Sequence, residues 1–192
     1  MTKEAILNFS LSKAEPIWLQ DSRLAAFNSI KHLDLPEINR VKFHRWNLGD
    51  GTLSEDQAMA NVPDFTALGD NPKLVQVGTQ TVFEQLPTHL IDQGVIFTDF
   101  YAALEEIPDI IEKYFCKARG AKEDKLAAYH MAYFNSAAVL YVPDNVEIDE
   151  PIEALFYQDK ASAVPFNKHV LIIAGRNSRV NYLERFETIG EG

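Results

Sequence analysis

The chain has 192 residues, 46% of them hydrophobic, with 28 acids against 18 bases and a formal charge of -10. This composition excludes a disordered tail and a collagen-like or low-complexity chain, and the single cysteine excludes a disulfide scaffold. An acidic balance without a Lys/Arg block speaks against nucleic acid or an anionic membrane as partner, and no run of 18 apolar residues is present to span a bilayer.

The first residues, MTKEAILNFSLSKAEP, lack a long apolar centre and do not read as a secretory signal. Thr2 is placed to cap a short helix carrying Ala5, Ile6 and Phe9. Pro16 suits the first turn of a second helix, with Ile17, Leu24 and Phe27 at helical spacing, ending before Pro36. From Pro36 to Pro72 the chain reads as a long connection, with Trp46 and Phe65 as anchors and Gly49-Asp50-Gly51 as a turn. Leu74–Val77 and Thr79–Phe83 flank Gly78 as two short strands, and Val95–Phe97 is a third apolar run. Thr98 is expected to cap a helix over Asp99–Glu106, and Pro108 to open another that carries Ile111 and Phe115 and stops at Gly120. Lys122–Phe134 reads as a further helix around Leu126, His130 and Tyr133.

After Asn135 the pattern changes to strands. Ala138–Val142, the alternating Val146 and Ile148, then Ile152, Ala154 and Phe156, Val170–Ile173 and Val180–Phe186 are separated by turn residues. Short strands at this spacing predict a sandwich, a barrel or a solenoid.

The charge is localised: between Leu48 and Glu112 stand twelve acids and one base, Lys73. Such a stretch suits a basic partner or a hard cation, but its acids are scattered and no calcium-loop spacing occurs, so solvated loops account for it. Nucleotide, P-loop, nucleophile-elbow, zincin and C-x-x-C signatures are all lacking. His32, His44, His89, His130 and His169 never stand three or four apart, so no helical metal pair exists. His44 sits in KFHRW, which suits either base stacking or the packing of Phe43 and Trp46. Cys116 lies among Lys117 and Arg119, which would lower its pKa if close in space, yet its place beside Phe115 fits a small buried thiol. Glu105-Glu106 and Asp149-Glu150 are adjacent carboxylates, and acid-base work would require one of them to be desolvated. No catalytic, cofactor-binding or metal residue is therefore assigned.

The strings GVIFTDFYAALEEIPDIIEKYF and KEDKLAAYHMAYFNSAAVLYVPDNVEIDEPIE carry a resemblance to the SufB/SufD family of iron-sulfur cluster assembly proteins. Tyr141-Val142-Pro143, Val146, Ile148 and Pro151-Ile152 match the family's Y-V-P-x-x-V-x-(I/V)-x-x-P-I pattern. EPIWLQDSRLAAFNSI, with Arg23, resembles its Glu-Pro-x-Trp-Leu helix, while KFHRWNL departs from its usual Trp-Arg/Lys-Tyr-Thr string. The short N-terminus and LVQVGTQTVFEQLP are most similar to the SufD branch.

The resemblance implies an α+β fold: an N-terminal α/β region over residues 1–134 that caps the first coils of a right-handed parallel β-helix over 135–192. The helices from Thr98 to Phe134 would cover the first coil, and the strand pattern still running at Val180–Phe186 predicts a truncated solenoid that continues. The implied function is a non-catalytic scaffold in a SufBCD-type complex, with a SufB-like paralogue and a SufC-like ATPase as partners, the latter binding through a C-terminal domain. A homodimer through β-helix edges is a further expectation. Iron-sulfur cluster and ATP belong to the assembled complex, and none is expected to be bound by these residues. The lone cysteine fits a reducing cytoplasm. The alternative is a carbohydrate-active enzyme on a parallel β-helix, such as a polysaccharide lyase using Asp149 or Glu150.

Overall fold

A computed structural model describes residues 2–45, 53, 69–159, 164 and 167–189. In chain order the elements are α1 (Lys3–Ser12), α2 (Ile17–Ser29), 3-10 turns at Ile30–His32 and Phe43–Arg45, β1 (Lys73–Val77), β2 (Gln80–Gln85), α3 (Thr88–Ile91) and β3 (Ile96–Asp99). Then follow α4 (Phe100–Glu106), α5 (Pro108–Tyr114), α6 (Lys125–Tyr133), β4 (Ser136–Val142), β5 (Ile152–Asp159), β6 (Lys168–Ala174) and β7 (Tyr182–Ile189). They divide into two compact units, Met1–Ser54 with Asp109–Asn135, and Glu55–Pro108 with Ser136–Gly192. The expected anchors Trp46 and Phe65, the Gly49–Gly51 turn and the side chain of His44 lie outside the described residues.

In the first unit, Thr2 caps α1 as its sequence predicts: its hydroxyl accepts the Ala5 N–H at 3.3 Å. Pro16 stands just ahead of α2 rather than within its first turn. The buried face of α2 is Leu19, Arg23 and Ala26, whereas Ile17 is 75% exposed and Leu24 and Phe27 are half-buried. Apolar spacing alone pointed to another face, because it assigns an arginine to solvent. Here Glu15 neutralises that arginine internally.

Cys116 adopts φ 53°, so the chain leaves α5 well before Gly120. Asp124, not Lys122, begins α6: its carboxylate accepts the Ala127 N–H at 2.8 Å. α6 packs on α2 and buries Ala127, Ala128, Met131, Ala132 and Tyr133, leaving Leu126 and His130 half-buried. Small residues on that face allow close helix contact.

In the second unit, β1 and β2 form the expected antiparallel hairpin across Gly78, whose φ is 55°. β1 pairs in parallel with β5, and β5 with β7, giving a four-stranded sheet of order β2-β1-β5-β7. A three-stranded sheet of order β3-β4-β6 has β3 antiparallel and β6 parallel to β4. Leu74, Ile152, Ala154 and Phe156 from the first sheet form one core with Phe97, Ala138, Leu140 and Val142 from the second. These alternate residues bury one face of each sheet.

The expected right-handed parallel β-helix is overturned. The described strands form two small open mixed sheets, neither of them closed or solenoidal, and the fold is mixed α+β. A two-residue period reports which side chains are buried, not how many strands pair or in which direction, and here β2 and β3 bring antiparallel edges to the two sheets. α4 packs on β3 and β4, while α6 and most of α5 belong to the first unit. The cap of α4 is Asp99, accepting the N–H groups of Tyr101 and Ala102 at 2.9 and 3.1 Å, and Thr98 instead donates to Glu84 at 2.8 Å.

Candidate functional site

Two arrangements stand out in the second unit, a polar cluster between its sheets and a stack of two turns. Lys168 opens β6 and is in register with Ser136 of β4, while Gln76 of β1 is in register with Phe156 of β5 and, one strand further, Phe186 of β7. The Lys168 amine donates to Gln76 Oε1 and Ser136 Oγ, and its nitrogen lies 4.3 Å from the centre of the Phe156 ring. Gln76 in turn donates to Thr81 Oγ1 at 2.9 Å and to the Ala137 carbonyl at 3.1 Å. Removal from water disfavours a charged amine, and the Lys168 pKa is pushed down to about 7, with Glu184 and Asp99 pulling the other way. On β7 the Tyr182 hydroxyl donates to Glu184 at 3.0 Å, and burial together with that carboxylate raises the phenol pKa. A lysine that loses its proton near neutrality is a nucleophile or a base.

The second arrangement repeats along the chain. Asn145 and Asn177, both left-handed at φ 62° and 56°, stack with the Asn177 amide donating to Asn145 Oδ1 at 3.1 Å. Arg176 donates to Asp144 through its backbone N–H at 2.7 Å and its side chain at 3.0 Å, which holds the Asp144 pKa below its usual value. Among the described residues no strand pairs with the outer edges of β6 and β7, and Ile172, Leu183 and Phe186 on these strands are 43–57% exposed. Unpaired strand edges are templates for pairing with further chain.

The residues singled out from sequence fall elsewhere. Cys116 Sγ lies 3.6 Å from Met131 Sδ. Burial drives its pKa to about 11 although Arg23 and Lys117 pull it down, so it is a protonated thiol. Glu105 and Glu106 are solvated at the end of α4. Asp149 is 85% exposed and paired with Arg179 at 3.0 Å, and Glu150 is exposed too, so neither is desolvated as acid-base work would require. His32 and His89 are exposed, and His130 and His169 half-buried. Among the described residues no three His, Cys, Asp or Glu side chains gather as a metal site, and no helix is long and apolar enough to cross a membrane.

Lys168 escaped sequence reasoning, which weighed histidines, cysteine and carboxylates. The available signal was parity: Lys168, Val170 and Ile172 share a strand face, so an inward Val170 places the lysine inward.

In the first unit the dominant feature is an internal ion pair. Arg23 and Glu15 have wholly buried side chains, with Nη2–Oε1 at 2.7 Å and Nε–Oε2 at 2.9 Å. Ser10 donates to the same carboxylate at 2.8 Å, and Arg23 Nη1 reaches the Phe134 and Ala132 carbonyls at the end of α6 at 2.9 and 3.3 Å. The guanidinium also lies 3.8 Å from the centre of the Phe134 ring. This pair holds α2 to the end of α6, which is structural work.

Comparison with known proteins agrees with these motifs. The family described as SufBD protein N-terminal region matches residues 61–154. The chain is 34% identical over 200 residues to the iron-sulfur cluster assembly protein SufD of Bacillus subtilis, covering 96% of this chain and 45% of that protein. It is 29% identical to an iron-sulfur cluster assembly SufBD family protein of Staphylococcus haemolyticus, covering 96% of this chain and 43% of that one. A SufBD family protein of Mycobacterium bovis is 27% identical over the whole of this chain, which spans 25% of it. The chain belongs to the SufB/SufD family of iron-sulfur cluster assembly proteins and is most like SufD. It spans less than half the length of these relatives.

Proposed function

We propose that this chain is part of a non-catalytic scaffold subunit for iron-sulfur cluster assembly in the cytoplasm, working in a complex with a SufB-like paralogue and a SufC-like ATPase. The observation that carries the reading is the 34% identity to SufD across 96% of the chain. A scaffold presents surface for other polypeptide, and the outer strands β6 and β7 with exposed Ile172, Leu183 and Phe186 are surface of that kind. In this reading the cluster is cargo, ATP hydrolysis belongs to the ATPase, and these residues hold no resident cofactor.

The test is reconstitution with the full-length protein. It should co-purify with its SufB-like and SufC-like partners, and omitting it should abolish cluster transfer to an apo-acceptor, followed by visible absorption. Transfer at an undiminished rate without it would overturn the proposal.

A further inference from the structure

The Lys168 cluster has no part in the scaffold reading. Its geometry is that of a held amine at the margin of an interior. Oxygens from two different sheets, Gln76 Oε1 on β1 and Ser136 Oγ on β4, accept from the nitrogen, and both acceptors are neutral. The aromatic face of Phe156 lies beneath it, and the Phe186 ring follows at 5.1 Å between centroids. Phe156 is 1% exposed and Phe186, its in-register neighbour on β7, 57% exposed, so the row of rings runs from the amine to solvent along the inner face of the sheet. Lys168 is itself half-buried, on the outermost described strand of its own sheet. The charged groups facing it are Glu184 from β7 and Asp99 from the end of β3.

We propose that Lys168, its amine held between the two sheets by Gln76 and Ser136, is a modification site that takes small acyl groups from activated carboxyl donors. The nitrogen lone pair attacks the carbonyl carbon and a C–N bond forms. The bond from that carbon to the leaving group breaks, the leaving group departs with the electron pair, and the amine loses one proton to water. Nothing is oxidised or reduced. The product is a neutral amide that still offers one N–H to the Gln76 or Ser136 oxygen, so acylation removes a titratable group from an apolar surrounding while keeping one of its two hydrogen bonds. The lowered amine pKa supports the same conclusion, because the neutral fraction near pH 7.5 is large at this lysine and about one part in a thousand at an ordinary one. Lower basicity weakens the nucleophile, so the net advantage is roughly tenfold or somewhat more rather than several hundredfold.

The experiment is competitive labelling of the full-length protein with trace isotopic acetic anhydride from pH 5 to 11, each lysine being quantified by peptide mass spectrometry. Exposed Lys122 is the internal reference. Lys168 should label with a midpoint near pH 7 and, at pH 7.5, about tenfold faster than Lys122. Glu184→Gln removes a carboxylate that favours the charged amine, so it should move the midpoint to lower pH while labelling persists. A Lys168 midpoint above pH 9, labelling at pH 7.5 no faster than that of Lys122, or a midpoint unmoved by Glu184→Gln would each overturn the proposal.

Discussion

Replacing Arg23 by methionine tests whether the buried pair organises the first unit. Methionine retains length and apolar contact with Phe9 and Phe134 but deletes the charge. What is lost is the pairing to Glu15 at 2.7 and 2.9 Å and the Nη1 bonds to the Phe134 and Ala132 carbonyls, all in a site where Glu15 is 4% exposed. Removing one partner of a buried pair costs about 3–5 kcal/mol, because the remaining charge is left in a poorly solvating environment. Trp18 packs edge-on against Phe115 at 6.1 Å in the same unit, so its fluorescence in a Trp46→Phe background reports urea unfolding there. With a typical slope, the midpoint should fall by about 2 M. Combining Arg23→Met with Glu15→Gln removes both charges and should recover part of the loss, so the two changes couple strongly. A loss below about 1 kcal/mol in Arg23→Met, or strict additivity in the double variant, would refute the reasoning.

Further outcomes follow from three other sites. Gly175→Ala places a Cβ 2.4 Å from the Asp144 backbone nitrogen and 2.6 Å from the Pro143 carbonyl carbon, so the stacked turns must part. A loss of about 2–3 kcal/mol is expected by urea titration, against a near-neutral Gly120→Ala, whose nearest neighbour is a flexible Glu123 atom at 3.5 Å. Lys168 has its folded-state pKa lowered from 10.5 to about 7, so between those values the unfolded chain holds a proton that the folded chain has released. Its contribution to stability therefore rises with pH across that window, by at most about 1.4 kcal/mol per unit, and is flat below it; Lys168→Met should remove the slope between pH 7 and 9, and an unchanged slope would count against the cluster. The Cys116 thiol, with its pKa near 11, should react with an aromatic disulfide at a rate still climbing beyond pH 9, and a plateau near pH 9 would show that the thiol is not desolvated. Cys116→Ser should change stability by no more than about 1 kcal/mol.

The element positions were largely legible because local chemistry sets them. Thr2 caps α1, Gly78 turns the β1–β2 hairpin, Pro108 opens α5, and the helical segments give way to strands at Asn135. The family resemblance was legible in strings such as YVPDNVEIDEPIE, which runs from the end of β4 through a turn and the Glu147–Arg179 bridge to the start of β5. Helix starts moved by one to three residues. Thr98 lost the cap of α4 to Asp99 because its hydroxyl was taken by Glu84, and α6 starts after Asp124, whose carboxylate reaches Ala127, rather than at Lys122.

The sequence by itself determined the acidity of the central stretch, the alternation that divides core from surface in the strands, and membership of a cluster-assembly family. Tertiary structure alone decided the rest. It turned Arg23 inward, since only the folded chain brings Glu15 and the end of α6 to one guanidinium. It sorted the strands into two open mixed sheets rather than one continuous helix of coils, since pairing direction is a long-range choice that a two-residue period does not encode. It also made the protein's distinctive lysine, because burial lowers the Lys168 pKa, and the Gln76, Ser136 and Phe156 side chains around its amine lie 92, 32 and 12 residues away along the chain and meet it only across packed sheets.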